Sequence, residues 1–343
     1  MSLRAVPARP VVAVVGATGA VGAEFMDCLL SRRFPMSELR LLASARSAGK
    51  RMRFGDRELT VAELNEASLT GVDIGLFSAG SGISKKFAPI AVRAGAVVVD
   101  NSSAFRMDPG VPLVIPEINA AEIPKHRGVI ANPNCSAIIS ITPLWPIHQR
   151  NRIQRITLAT YQAASGAGAA AMEELREATR AYLDGKPFEN KVLPHPYAFN
   201  LFNHNTKVDP VTGYNDEETK VIQETKKIFG DPSIRISATC VRVPVLRAHS
   251  VAIHFECERP ITPDEVREIV AKAPGVKVVD DRERNYFPMP KDATGQGDVL
   301  IGRIRQDVSD PSGRSIACFT AGDQLLKGAA LNAVQIAEKL LPA

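Results

Sequence analysis

Runs and alternations of apolar residues divide the chain into two differently built halves. Val11 to Val15 is an unbroken apolar run, mostly β-branched, as a strand buried on both faces requires. It breaks into Gly16-Ala-Thr-Gly19-Ala-Val-Gly22 before the amphipathic stretch Ala23 to Arg33. Further short runs at Leu39 to Ala43, Asp73 to Phe77 and Ala96 to Asp100 alternate with helical segments such as Ser84 to Ala94. That alternation predicts a parallel sheet with crossover helices.

After residue 150 the pattern changes. Strands are predicted at Ile153 to Ala164, Ile236 to Val245 and His249 to Glu258. In the last of these Val251, Ile253, Phe255 and Cys257 alternate with Ala252, His254, Glu256 and Glu258, so one face is buried and the other wet. Val276 to Val279, Val299 to Gln306 and Ser315 to Ala321 complete an antiparallel or mixed sheet. Helices are predicted over Ser136 to His148, kinked or cut short by Pro143 and Pro146, and over Ala169 to Leu183 and Asp216 to Phe229. Thr262-Pro-Asp-Glu265 is a capping box that starts a helix running to about Ala273. A last helix, Gln324 to Leu341, is expected to fold back on the first half. Gly185 to Asn215 has no periodicity, and a loop of that length belongs to a functional region or an interface.

The pattern therefore predicts an α/β chain. Residues 1–134, joined by the C-terminal helix 322–343, form a Rossmann-like doubly wound parallel sheet, and residues 135–321 form an α+β domain. A chain of 343 residues is long enough for two cores, and 45% hydrophobic with 23% charged residues argues against disorder. The formal charge of +5 is spread without a Lys/Arg block, which suits small anionic ligands and speaks against a nucleic-acid partner. Cysteines at 28, 135, 240, 257 and 318 are odd in number and never in Cys-x-x-Cys spacing. They argue against a disulfide framework and a zinc site, and for a reducing, cytoplasmic setting. No apolar signal segment opens the sequence and no stretch approaches the ~18 apolar residues of a membrane span, so no membrane partner is expected.

Strand, glycine turn and helix at Gly16 to Gly22 are the arrangement that holds a pyrophosphate on helix N–H groups, although the spacing is GxxGxxG rather than GxGxxG. The second strand ends in Ser44-Ala-Arg46-Ser47, with no carboxylate for a ribose hydroxyl; a guanidinium with two hydroxyls suits a 2′-phosphate, so the cofactor is expected to be NADP. Ser78-Ala-Gly-Ser81 and Asn101-Ser-Ser103, at the tips of later strands, would line the same edge. Asn132-Pro-Asn-Cys135-Ser136 delivers one thiol to a helix start, where unpaired N–H groups favour the thiolate.

These segments also carry a resemblance. Gly16 to Gly22, Ser44 to Ser47, Phe77-Ser-Ala-Gly80, Asn101-Ser-Ser-Ala-Phe-Arg106, Asn132 to Ser136, Tyr161-Gln-Ala-Ala-Ser-Gly-Ala-Gly168, Val241-Arg-Val-Pro-Val245 and Lys327 to Ala333, in that order, are similar to the aspartate-β-semialdehyde dehydrogenases. The resemblance spans nearly the whole chain. It implies reduction of L-4-aspartyl phosphate by NADPH to aspartate semialdehyde and phosphate, on the branch toward lysine, threonine and methionine, through a cysteine thioester. It implies Cys135 as nucleophile, Gln162 orienting the acyl group and His249 as acid–base catalyst. Arg242 would grip the substrate carboxylate, Arg106 and Lys220 the phosphate, with Glu217 beside the amine and Asn134 near the oxyanion. Gly16, Thr18, Gly19, Ala20, Val21, Ser44, Arg46, Ser47, Ser78, Ala79, Gly80, Asn101, Ser165, Gly166 and Gln324 would bind NADP. No metal is implied, the second domain would also dimerise, and a homodimer or homotetramer is expected.

Each residue has a plainer reading. His249 can be a structural histidine, with His254 a rival in the wrong phase, and Glu217 with Lys220 an ordinary helix-surface ion pair. Ala137, Val251 and Gln324 depart from the residues usual at their positions, and only Gln324 falls near the nicotinamide end. Two alternatives compete: an N-acetyl-γ-glutamyl-phosphate reductase, whose cysteine usually sits in a Gly-Cys-Tyr-Pro context, and a non-catalytic NADP-binding sensor.

Overall fold

The computed structural model describes residues 5–342; residues 1–4 and residue 343, the last of the expected C-terminal helix 322–343, lie outside the described residues. The chain divides into two compact units, one running through Asn134 and resuming at Ala329, the other Cys135–Gly328.

In the first unit the chain runs β1 (Val11–Val15), α1 (Ala20–Ser31), β2 (Glu38–Ala43), β3 (Arg51–Phe54), β4 (Arg57–Glu63), β5 (Ile74–Phe77), α2 (Ser81–Arg93), β6 (Val97–Asp100), α3 (Pro116–Asn119) and β7 (Val129–Ala131). The sheet order is β3-β4-β2-β1-β5-β6-β7, and every pair is parallel except β3 with β4. The chain leaves β1 toward β2 and later returns to its other side as β5. The strand order therefore reverses at the carboxyl end of β1, where doubly wound sheets open a crevice for ligands. β5 and β6 are buried throughout, as their apolar runs require, and Phe77 packs with Val15, Phe87 and Val98 in the core. The β3–β4 hairpin was not expected from the pattern. Its strands alternate exposed Arg51 and Arg53 with half-buried or buried Met52 and Phe54, and Gly55, at φ 60°, makes the turn.

The second unit contains α4 (Cys135–Ile141), α5 (Trp145–Arg150), β8 (Ile153–Gln162), α6 (Ala169–Leu183), β9 (Phe202–Asn203), α7 (Asp216–Phe229), β10 (Arg235–Arg242), β11 (His249–Cys257), α8 (Pro263–Val270), β12 (Val276–Val278), α9 (Pro290–Ala293), β13 (Val299–Gln306) and β14 (Ser315–Gly322). Two helices replace the single segment at 136–148: Pro143, without an N–H, falls in the break after α4, and Pro146 sits in the first turn of α5, where its missing N–H costs nothing. The sheet order β12-β13-β14-β11-β8-β10-β9 is mixed: β8 with β10 and β12 with β13 are parallel, and the remaining pairs antiparallel. The expected capping box, Thr262 with Glu265, closes at the start of α8, and a second, Asn215 with Glu218, closes at the start of α7.

The expected helix from Gln324 to Leu341 is shorter. Asp323 accepts from the Leu325 and Gly295 amides and from Arg247, and Gln324 bonds Ser165 and Ala248, so these residues stay with the second unit. A wide turn over Leu326–Ala330 follows, and α10 (Leu331–Glu338) belongs to the first unit. There Arg32 meets Glu338 through two contacts of 2.6 and 2.7 Å, and the Asn332 amide donates to Asn132 Oδ1 at 2.7 Å. Among the described residues no helix is long and apolar enough to cross a membrane.

Candidate active site

The predicted residues fall into two groups, one in each unit. In the first unit, Gly16 sits at φ 87°, where a Cβ would come within 2.3 Å of the Ser78 carbonyl oxygen. A Cβ on Gly22 would come equally close, 2.3 Å, to the Gly16 oxygen. Both positions therefore demand glycine, one for the turn and one for packing α1 on β1. The N-cap of α1 is Gly19, with no side-chain cap, so the N–H groups at Ala20, Val21 and Gly22 face the crevice without a competing acceptor from the cap. Thr18 Oγ1 lies 3.4 Å from Ser47 Oγ, and Ser44 and Arg46 are exposed beside it. Ser78, Ala79 and Gly80 follow β5 and Asn101 follows β6, so they share the carboxyl edge of the sheet. The Asn101 carboxamide is buried there, and among the described residues neither its oxygen nor its nitrogen has a hydrogen-bond partner. An unsatisfied buried amide is costly, and one facing a ligand edge fits a group that arrives with its own donors and acceptors. A dinucleotide phosphate bridge and nicotinamide meet that description. Arg106, buried, donates to the carbonyls of Asn132 at 3.0 Å and Asn101 at 2.8 Å, and so braces the strand ends on either side of it. Asn134, also buried, is the last residue of this unit.

The second group is built around the end of β8. Cys135 is the first residue of α4 and is partly exposed; a Cβ on Gly328 would lie 3.0 Å from its own Cβ, so Gly328 leaves room for the thiol-bearing residue. The next residue, Ser136, accepts a hydrogen bond from Gln162 Nε2 at 2.8 Å. Gln162 also reaches Thr160 Oγ1 at 3.3 Å and Glu217 Oε1 at 3.4 Å. Glu217 is buried on α7 and 3.5 Å from Lys220 Nζ, so the pair is an inward one and not the plain surface pair the spacing allowed.

The Ala163 N–H, one residue beyond Gln162, donates to His249 Nδ1 at 3.0 Å. His249 is fully buried, and its Nε2 has no hydrogen-bond partner among the described residues. Burial, together with the nearby Arg242 charge, pulls the imidazole down to about 3 against the opposing pull of Glu217, so the ring is neutral. Gly166 closes over it: a Cβ there would meet His249 Nε2 at 2.9 Å and Arg242 Nη1 at 3.2 Å. His254, four positions after the backbone pair Ser250–Tyr161, is half exposed on the other face and pairs with Asp307 at 3.0 Å.

Arg242 is 5% exposed, and its hydrogen bonds go to His204 Nε2 at 2.8 Å, the Ala163 carbonyl at 3.3 Å and Asn205 Oδ1 at 3.5 Å. None of these partners carries a negative charge. A buried guanidinium with only neutral acceptors has an electrostatic place for an anion. His204 cannot supply it; burial lowers its pKa to about 4, and its Nε2 accepts a hydrogen bond from Arg242. His204 and Asn205 were not singled out from the sequence, since they lie in the aperiodic stretch before α7 and no spacing marks them. Ser165 and Gln324 join this group, with Gln324 Nε2 bonded to Ser165 Oγ and its Oε1 accepting from Ala248 N at 3.0 Å.

Comparison with known proteins agrees with this division. Residues 11–126 match the family model described as semialdehyde dehydrogenase, NAD binding domain, and residues 144–327 the one described as semialdehyde dehydrogenase, dimerisation domain. An aspartate-semialdehyde dehydrogenase of Synechocystis sp. is 54% identical over 96% of this chain and 97% of its own. The chain belongs to the aspartate-semialdehyde dehydrogenase family. Family membership extends to the Bacillus subtilis enzyme, 45% identical over 96% of both chains. The crystal structure of Vibrio cholerae aspartate semialdehyde dehydrogenase II is 44% identical, with a TM-score of 0.93 over 97% of this chain and 98% of that one. The relatives carrying this family name favour it over the acetylated-glutamyl reductase considered from the sequence.

Proposed function

We propose that this chain catalyses the NADPH-dependent reductive dephosphorylation of L-4-aspartyl phosphate to L-aspartate 4-semialdehyde and phosphate, with Cys135 as the covalent nucleophile. The observation that carries the reading is the buried, carboxylate-free Arg242, placed one residue's reach from His249 and Gln162 through Ala163. A substrate with a carboxylate at one end and an acyl phosphate at the other suits that arrangement. Arg242 takes the α-carboxylate, Glu217 the α-ammonium, and Gln162 steers the acyl group toward the thiol of Cys135, the residue next to its hydrogen-bond partner Ser136. Arg106, Lys220 and Asn134 complete the phosphate and oxyanion contacts.

An acyl phosphate is a poor hydride acceptor. The Cys135 thiolate attacks its carbonyl carbon, the C–S bond forms, and the C–O bond to phosphate breaks with phosphate taking the electron pair. Gln162, held by Ser136 and Glu217, keeps the acyl plane in register with the sulfur, and the apolar α4 behind Cys135 keeps water from hydrolysing the thioester. NADP, held by Gly16, Thr18, Gly19, Ala20, Val21, Ser44, Arg46, Ser47, Ser78, Ala79, Gly80 and Asn101, with Ser165, Gly166 and Gln324 at the nicotinamide end, would supply the hydride. Arg46 with Ser44 and Ser47 selects the 2′-phosphate.

The partner in assembly is a second copy of the chain, as a homodimer or a homotetramer. The support is the dimerisation description of the matching model and an exposed Tyr161 on the second sheet, packed on the half-buried Phe319 with ring centroids 6.1 Å apart. Sedimentation equilibrium should give an even multiple of the chain mass; a monomer at micromolar concentration would refute it.

Phosphate-dependent NADP reduction measured with L-aspartate semialdehyde and with N-acetylglutamate semialdehyde tests the activity. Turnover of the first substrate is expected, and turnover of the second alone overturns the reading.

A further inference from the structure

The stretch from Asp184 to Leu201, between α6 and β9, has no strand or helix of its own, yet it is tied down at two points. At the first, Glu174 on α6, a buried residue, takes hydrogen bonds from three consecutive amides: Lys191 and Val192 at Oε2, and Leu193 at Oε1, the last at 2.9 Å. Amides outside a ladder or helix need an acceptor where the chain turns inward. Beyond them Leu193 and Tyr197 pack with Ala164, Ala171 and Leu175, which joins the loop to α6 and to the turn after β8.

Tyr197 is the second tie. Its side chain is fully buried, and its Oη donates to the Val243 carbonyl at 2.5 Å, with the Gln162 carbonyl 3.4 Å away. These carbonyls flank the last rung of the parallel pair β8 and β10, where Gln162 stands opposite Arg242 and the Val243 N–H donates to the Gln162 carbonyl at 3.0 Å. The Tyr197 ring also meets Phe202 edge-on, with centroids 5.5 Å apart, and Phe202 is the register partner of Arg242 on β9. One side chain therefore braces both strand ends that carry the substrate-facing residues, and the strand that leads on to His204 and Asn205. Burial, against the pull of Arg242, pushes the Tyr197 hydroxyl up to about 12, so it remains a donor at neutral pH.

We infer that Tyr197, seated by Glu174, is a positioning residue that fixes the spacing of Arg242 and Gln162 and so holds the two ends of one substrate in register with the Cys135 thiol. The inference rests on the roles proposed above for Arg242 and Gln162, and it gives the aperiodic loop a task in the same reaction. A strand end frays more readily than its middle, and a parallel ladder is slightly weaker per residue than an antiparallel one. The rung that spaces Arg242 and Gln162 is such an end. Because the two side chains act on opposite ends of one small molecule, a shift of the rung displaces the carboxylate anchor and the acyl group together. A misplacement of about 1 Å costs roughly 10²-fold in rate, so a rung that is loosened but still paired should cost about tenfold.

Tyr197→Phe keeps the ring and removes only the hydroxyl, and the test is steady-state kinetics of the full chain with L-aspartate semialdehyde, phosphate and NADP, well below the melting temperature of the variant. kcat/KM should fall about tenfold, divided between a KM about threefold higher and a kcat about threefold lower. A lower melting temperature with both constants unchanged would make the hydroxyl purely structural and overturn the inference. Arg242→Lys supplies a readout that a loss of stability would not move. If Tyr197 acts on KM through Arg242, adding Tyr197→Phe to Arg242→Lys should raise KM much less than it does in the wild type, and a full additional rise overturns the inference. Glu174→Gln offers the three amides one acceptor oxygen in place of two, so it should lower kcat/KM in the same direction. Combined with Tyr197→Phe it should add almost nothing, and a fully additive loss would refute the seating by Glu174. If the wild type shows no phosphate-dependent turnover of L-aspartate semialdehyde, the proposed function falls and takes this inference with it. If the wild type turns over and Tyr197→Phe matches it, this inference alone fails.

Discussion

Gln162 Nε2 lies 2.8 Å from Ser136 Oγ, and that hydrogen bond ties the end of β8 to the second residue of the helix headed by Cys135. The carboxamide has two weaker alternatives, Thr160 at 3.3 Å and Glu217 at 3.4 Å, so it stays bonded when Ser136 is lost but turns away from the thiol. Ser136→Ala should therefore cost about 1 kcal/mol of stability, the net worth of one hydrogen bond, yet lower kcat by about tenfold. Urea denaturation paired with steady-state kinetics checks it, and a loss of stability without a loss of kcat would speak against the orienting role.

Arg242 predicts a split between affinity and fold. Arg242→Lys keeps the charge but loses the planar fork that reaches His204, the Ala163 carbonyl and a carboxylate together. KM for aspartate semialdehyde should rise by about 10–100-fold, about 1.4–2.8 kcal/mol, with kcat changed much less. Steady-state kinetics over a range of semialdehyde concentrations decide it; an unchanged KM would remove Arg242 from the carboxylate.

Asn101 should show opposite effects in the free and the loaded protein. Its carboxamide is buried without a partner, so Asn101→Ala removes an unsatisfied group. The free protein should gain up to about 1 kcal/mol, less the cost of the small space left behind, while NADPH binding weakens. Melting temperature with and without NADPH measures both, and a variant that binds NADPH normally would show that the amide faces no ligand.

Arg46 is exposed at the end of β2 and next to the Thr18–Ser47 contact. Arg46→Ala should weaken NADPH by about tenfold or more, the value of a charge-assisted contact, and leave NADH almost unaffected. Fluorescence titration with each nucleotide is sufficient, and equal losses on both would contradict a 2′-phosphate contact.

Buried histidines set the acid side of the stability profile. Burial lowers His249 to about 3 and His204 to about 4 in the folded state, against roughly 6.5 when unfolded. Between those values the unfolded chain binds protons that the folded one refuses. Their contribution is present above about pH 6.5 and is lost as the pH falls toward 4. Asp307 and Asp310, held low by hydrogen bonds from His254 and from Ser312 and Ser315, act in a lower window, losing their contribution below about pH 4. Urea unfolding at steps from pH 7 to 4.5 should show falling stability, with a shallower slope in His204→Asn. A flat profile over that range would mean that the two rings are hydrated when folded.

Much of the frame was legible because it is local. The runs at Val11–Val15 and Ile74–Phe77 are apolar because both faces of those strands are covered, and the helices at Ala169–Leu183 and Asp216–Phe229 begin and end where the sequence places them. Gly16 and Gly22 were readable as necessary glycines, since a backbone with no room for a Cβ excludes every other residue. The β3–β4 hairpin escaped notice although Gly55-Asp56 between alternating residues was a usable signal. The shortened last helix had no such signal, because its lost turn is spent on contacts made by Asp323 and Gln324 to distant loops.

The sequence by itself determined which residue types the chemistry has to work with and where the strands and helices that carry them begin. Only the tertiary structure decided what each of those residues does there. Cys135, Gln162, Glu217, Arg242 and His249 are spread over more than a hundred positions, and no period links them. The bonds from Ala163 to His249 and from Arg242 to the Ala163 carbonyl exist because β8 lies between β10 and β11 in the sheet, the one from Arg242 to His204 because β9 pairs with β10, and the one from Gln162 to Ser136 because the end of β8 meets the start of α4. Burial, also a property of the fold and not of the residue, is what makes His249 neutral and leaves Arg242 in want of an anion.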